Sequence, residues 1–162
     1  MVVTRWGARF MGRSFPCSIG RGGIADTKVE GDGVTPAGIW QLLGGGYRAD
    51  QRIQPHAPFP LKPIGPADIW SDDPADPAYN NGLRAHAYPF SHEKLRMGPP
   101  LYDIFLISDQ NFPDAIPGKG SALFLHQWRK PRHPTAGCIA FAPEHLAWIL
   151  ARWTPRSRVL VR

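Results

Sequence analysis

The chain has little cysteine. Cys17 and Cys138 are the only two among 162 residues, which excludes the disulfide framework that holds small secreted scaffolds together. No apolar run reaches the length of a spanning helix, so no integral membrane segment is expected. The N-terminal MVVTRWGARF lacks the apolar core of a signal peptide, which leaves two readings open: a cytoplasmic protein, or one whose export signal has been removed. Blocks of like charge are missing, as are a basic helix and the aromatic signature of ribonucleoprotein domains, so no nucleic-acid partner is expected. Helical periodicity is confined to one segment near the C-terminus.

Hydrophobic residues make up 43% and aromatics 11%, enough to bury a core in one domain spanning 1–162. The 17 glycines and 18 prolines are spread without a period and read as turns in a strand-dominated, loop-rich fold. A net charge of +6 favours a polyanion as partner: nucleic acid, anionic membrane or cell-wall polymer.

Along the chain, MVVTRWGARF and SFPCSIG read as short strands of β-branched and aromatic residues. EGDGVTPAG is turn chemistry, and IWQLLGG after it reads as a strand. From Gln51 to Met97, Pro, Asp, Asn and His dominate and little regular structure is expected; such segments in compact domains are usually functional loops. LYDIFLIS and SALFLH are continuous apolar runs suited to buried strands, with the turn PGKGS between them. PEHLAWILARW puts Leu146, Ile149, Leu150 and Trp153 at helical spacing, with Pro143 suited to the first turn, and RVLVR closes as a strand.

The segment that carries chemistry is LFLHQWRKPRHPTAGCIAF, Leu123 to Phe141. His126 ends a buried strand, and a histidine held there by the core has a fixed orientation. Cys138 sits in the tight TAGC element. Gly137, without a side chain, lets the backbone approach a substrate, and the amides of Gly137 and Cys138 are placed to donate to a developing oxyanion. A thiol needs a base or a cation to raise its thiolate fraction. Spacing alone leaves two other readings. Cys138 is a small buried hydrophobe beside a satisfied core histidine, or His126, His133 and Cys138 hold zinc, although no CxxC or HxxxH pair and no fourth ligand is evident. Cys17, between Pro16 and Ser18 on a strand, reads as structural.

This segment resembles the signature of the L,D-transpeptidase catalytic domain family, in which a histidine is followed by a Ser/Thr-x-Gly-Cys element. IGRGGIADTKVEGDGVTPAGIWQL resembles the family's N-terminal glycine-rich block. WSDDPADPAYN, SHEKL, LYDIFLI and PGKGSALFLH resemble successive blocks of its compact branch, so the likeness runs from Ser18 to Arg162. The resemblance implies a mainly β domain, sandwich or barrel-like, with few short helices and long loops. It implies Cys138 as nucleophile, His126 as base, the carbonyl of Gln127 orienting the imidazole, and Gly137 beside the oxyanion. One departure stands out: many members carry a histidine directly before Gly-Cys, where this chain has Ala136. His133 either replaces that imidazole in space or is a surface-loop histidine.

Candidate substrate contacts follow from position. Trp70, Tyr79 and Asn81 would line a peptide groove in the long segment. His92, with Glu93, Tyr102 and Asp103, would form a polar network beside the site. Arg129 and Arg132, with Lys130, would pair with stem-peptide carboxylates and favour the thiolate. Thr135 opens the TAGC element, and the loop from Glu30 to Gly38 would wall the site. No metal and no organic cofactor are expected, and a monomer is. The reaction implied is acylation of Cys138 by a peptidoglycan stem peptide and transfer to a diaminopimelate side-chain amine, in the periplasm or cell wall. A 3–3 link is favoured over a 1–3 link from L-alanine. The alternatives are an L,D-carboxypeptidase or endopeptidase that uses water, and a non-catalytic wall-binding module.

Overall fold

The computed structural model describes residues 1–96, 98 and 101–162. In chain order the elements are β1 (Val2–Thr4), β2 (Gly7–Phe10), β3 (Arg13–Phe15), β4 (Cys17–Ser18), β5 (Ile24–Ala25), β6 (Thr35–Pro36), β7 (Gly38–Trp40), β8 (Leu42–Tyr47), β9 (Leu61–Pro63), β10 (Asp68–Ser71), β11 (Gly82–Arg84), β12 (His92–Lys94), β13 (Ile104–Ser108), β14 (Phe124–Gln127), β15 (Ile139–Phe141), α1 (Pro143–Leu150) and β16 (Val159–Val161). The protein is mainly β, with one short helix among the described residues.

Six strands form the central sheet, in the order β4-β15-β14-β13-β8-β9. Side chains alternate between its faces because successive Cβ atoms on a strand point oppositely. On β14, Leu125 joins a large core with Ile139, Phe141, Leu146 and Ile149, while Phe124 joins a smaller one with Trp70, Tyr102, Phe105 and Cys138. The large core is closed by α1 and by a five-stranded sheet, β3-β2-β1-β16-β7, in which the two ends of the chain meet as parallel strands, Val2 opposite Leu160. None of the sheets is seen to close into a barrel. No helix among the described residues is long and apolar enough to cross a membrane.

The glycine run of β8 has a packing reason. A Cβ at Gly46 would lie 2.4 Å from the Phe105 ring, so only glycine lets that ring cross the strand into the small core. α1 starts at Pro143, where a missing N–H costs nothing, and Glu144 in its first turn complements the positive end of the helix. Trp153 lies beyond the helix and is buried against Phe10, with ring centroids 5.4 Å apart.

The segment from Gln51 onward departs from its expected irregularity. It holds β9 to β12, three of which form a separate sheet ordered β11-β10-β12, with Trp70 opposite Glu93 and Ser71 opposite His92. Strands of three or four residues that mix Asp, Gly, Arg, His, Glu and Lys with at most two adjacent apolar residues, Ile69 and Trp70, carry too short a pattern to stand out next to the prolines. Met97, the last residue of the segment read as irregular, lies outside the described residues.

Candidate active site

A cavity of about 730 Å³ opens on the small-core face of the central sheet. His126 on β14 and Cys138, just before β15, both line it, with Ala140 beside them. The pairing of β14 with β15 brings this about: His126 stands opposite Ala140 in a parallel register, so a residue two positions earlier on the same face sits next to the imidazole. Lys28 and Glu30 approach from the loop between β5 and β6, His92 and Glu93 from β12 of the separate three-stranded sheet, and Asp72 from just past its β10.

The thiol is buried and protonated. Its Sγ donates to the Ala122 carbonyl at 3.0 Å and lies 3.4 Å from the amide of Phe124. Burial pushes the thiol up to about 12, and the Glu93 carboxylate adds to that; the Phe124 amide and the Lys28 ammonium pull the other way and lose. Among the described residues no hydrogen bond joins the sulfur to His126. His126 Nδ1 lies 2.7 Å from the Gln127 carbonyl, which fixes the proton on that nitrogen and leaves Nε2 as the basic one. Burial lowers the imidazole to about 4, against the opposing pull of the Gln127 and Leu101 carbonyls. At neutral pH these shifts favour a thiol beside a neutral imidazole.

The turn before the cysteine is tied on both sides. Thr135 Oγ1 donates to the Cys138 carbonyl at 2.6 Å and accepts from the Gly137 amide at 3.2 Å. Thr35, fully buried, donates to the Gly137 carbonyl at 2.8 Å. Gly137 has φ +145, and a Cβ there would lie 2.9 Å from the Val34 carbonyl oxygen, so the turn requires glycine. Ala122, the thiol's acceptor, is held at φ 49, an uncommon conformation for a residue with a side chain. Its amide donates to Asn80 Oδ1 at 2.9 Å, and the same oxygen accepts from Trp70 Nε1 at 2.8 Å.

The family sequence model of the YkuD L,D-transpeptidase catalytic domain matches residues 5–161. The chain belongs to that L,D-transpeptidase family. Membership makes it a protein of the cysteine-dependent transpeptidases and hydrolases that modify peptidoglycan. No curated protein and no solved structure matches it.

Within this L,D-transpeptidase domain the residues singled out from sequence separate into two groups. Cys138, His126, His92, Arg129 and Thr135 line the cavity, as does His133, exposed on the loop that joins β14 to the TAGC turn. Gln127 is fully buried and its carbonyl meets His126 Nδ1, and the amide of Gly137 is engaged by Thr135. Trp70, Tyr79, Asn81 and Arg132 do not line it. Trp70 packs on Phe124 with centroids 4.9 Å apart, and the Tyr79 hydroxyl donates to Glu30 Oε2 at 2.5 Å. Asn81 Nδ2 donates to the Tyr79 carbonyl at 3.1 Å, and Arg132 reaches the Trp6 carbonyl at 3.4 Å and the neighbourhood of Cys17. Of the cations that the sequence placed beside the thiol, Arg129 lines the cavity and Arg132 does not, while Lys28 joins Arg129, running across Gly120 and approaching Gly137 while paired with Asp32. Lys28, Asp72 and Ala122 went unnamed in the sequence because no local pattern marks them. Among the described residues no group of three or more His, Cys, Asp or Glu is arranged to hold a metal ion.

Two consequences can be measured. Thiol alkylation by iodoacetamide should be slow at neutral pH and still rising above pH 9, because the thiolate forms only near the raised value of about 12. A plateau reached by pH 7 would mean a preformed thiolate. Cys17 lies on β4 opposite Phe141, inside the large core and outside the cavity, with its thiol likewise pushed up to about 12 by burial. Cys17→Ala should retain turnover and lose roughly 1 kcal/mol of stability. A folded but inactive Cys17→Ala variant, read by turnover beside a thermal melt, would move the nucleophile to that residue.

Proposed function

We propose that this chain acts as a single catalytic domain, a cysteine-dependent L,D-transpeptidase that joins peptidoglycan stem peptides in the periplasm or cell wall, as a monomer. The observation that carries the reading is the cavity: it holds a cysteine and a base-competent histidine together, with cationic Arg21, Lys28 and Arg129 and anionic Asp72 and Glu93 around them. A stem peptide carries carboxylates and an ammonium, and such a cavity offers both kinds of partner.

In this mechanism the Cys138 sulfur attacks an L-residue carbonyl while Nε2 of His126 takes the thiol proton. The Cys138 amide receives the developing oxyanion, since the Gly137 amide is already bonded to Thr135. The imidazolium, its Nδ1 proton held by the Gln127 carbonyl, gives its other proton to the leaving amine, and a thioester remains. The side-chain amine of a diaminopimelate then attacks the thioester and restores the thiol.

The donor favoured is the third-position diaminopimelate, giving a 3–3 link. A volume of about 730 Å³ accommodates its long zwitterionic side chain, and the bulky Trp70 and Tyr79 stay out of the lining. Incubation with purified muropeptides and tandem mass spectrometry of the dimers tests this. Dimers whose donor ends at diaminopimelate agree with it; dimers whose donor ends at the first alanine, or trimmed monomers alone, do not.

A further inference from the structure

Glu93 lies on β12, opposite Trp70, and lines the cavity with Cys138 and His126. The Tyr102 hydroxyl donates to its Oε1 at 2.7 Å. Tyr102 is itself buried, and its ring stands edge-on to the His126 ring with centroids 5.1 Å apart. One oxygen of Glu93 is thereby fixed by a residue that also packs on the base. The other, Oε2, has no protein partner among the described residues, and no cationic side chain there forms an ion pair with Glu93.

The neighbour of Glu93 is another carboxylate. Asp72 follows Ser71, which pairs with His92, and its buried Oδ1 has no hydrogen-bond partner. Burial raises Glu93 above the usual carboxylate range against the pull of the Tyr102 hydrogen bond, and the Asp72 charge adds to the rise. Lys28, a cation on the same cavity, is already paired with Asp32. Carboxylates left uncompensated beside a cavity repel each other, and a bound cation relieves that cost.

We propose that Glu93, held by Tyr102, receives the ammonium group of the acyl acceptor and so directs the thioester to an amine instead of water. The inference rests on Cys138 being the nucleophile. The ammonium gives one proton to Glu93, whose carboxylate becomes a carboxylic acid. The free amine attacks the thioester carbonyl, the C–N bond forms and the C–S bond breaks. The surplus proton on nitrogen passes through His126 to the departing sulfur, and Glu93 returns its proton to solvent. The carboxylate opposes a thiolate at Cys138 in the resting protein, but an acylated sulfur carries no charge to oppose. Its charge therefore serves the second half-reaction, after the thioester has formed.

The test is the ratio of transfer to hydrolysis for a donor stem peptide, with a diaminopimelate-containing peptide as acceptor, in the parent chain and in Glu93→Gln. Glutamine keeps an oxygen for Tyr102 and removes the charge. The ratio should fall about ten-fold or more through a raised acceptor KM, and Cys138 should alkylate faster at a given pH. An unchanged ratio in a variant that still forms the Cys138 adduct would overturn the proposal. A parent chain that forms no adduct at all would instead overturn the reading on which it rests. If Glu93→Gln does not fold, the parent chain decides. An acceptor analogue with hydroxyl in place of the amine should compete at least ten-fold more weakly than one that keeps the ammonium but cannot attack, such as its trimethylammonium form; equal competition would overturn the proposal.

Discussion

Cys138→Ala is expected to form no acyl-enzyme and no product above background, while its thermal unfolding stays close to that of the parent chain. The chemical half follows from the proposed mechanism, in which the sulfur on the cavity wall attacks the carbonyl and an alanine methyl leaves nothing to acylate. The structural half follows from what the thiol holds. It makes one contact to the Ala122 carbonyl and one to the Phe124 amide, and the turn around it is tied independently by Thr135 and Thr35. Turnover comparable to the parent in this variant would remove Cys138 from the mechanism.

His126→Ala is expected to slow acylation by about 10²–10⁴-fold, or about 3–5 kcal/mol in the barrier. The thiol is held up to about 12, so a resting thiolate is scarce and the base must take the proton as the sulfur attacks. A single-turnover measurement of adduct formation checks it, with His133→Ala as the control, since His133 is exposed and bonded through its own amide to Lys130. Equal loss in both variants would show that two imidazoles share the work. His126 also predicts a pH effect on stability. Its folded value of about 4 lies below the ordinary 6.5, so the unfolded chain takes up the proton first as pH falls. Its contribution is present above pH 6.5 and is lost as pH drops through about 4. His126→Ala should flatten the stability profile in that window.

Much of the central sheet can be read from composition and pattern. IFLIS and FLHQ of the central sheet, and VLV of the five-stranded one, come from apolar runs bounded by turns, and each is a strand. The helix from Pro143 follows from its spacing and its first-turn proline. Histidine and cysteine could be linked within one segment of sequence because a single parallel strand pair, β14 with β15, connects them. The opposite wall could be read in part: Glu30 and Gly31 of the glycine-rich loop, and His92 with Glu93 and Tyr102, line the cavity as the sequence suggests. Lys28 and Asp72 reach the cavity from distant parts of the chain, and nothing in their own neighbourhoods signals the meeting. Trp70 and Tyr79 sit in a stretch whose prolines and aspartates suggest exposure, yet both are buried, since the indole N–H and the phenol O–H each find a partner inside, at Asn80 and Glu30. Proximity in sequence misled at Arg132: three residues from Thr135, it points toward Trp6 and Cys17.

The central claim, that Cys138 carries a peptide through a thioester, is tested most directly by intact-protein mass spectrometry after brief incubation with a purified stem peptide, followed by digestion to place the adduct. One added acyl group is expected on Cys138, released by hydroxylamine and absent from Cys138→Ala. Product formed without any adduct, or an adduct on Cys17, would contradict it.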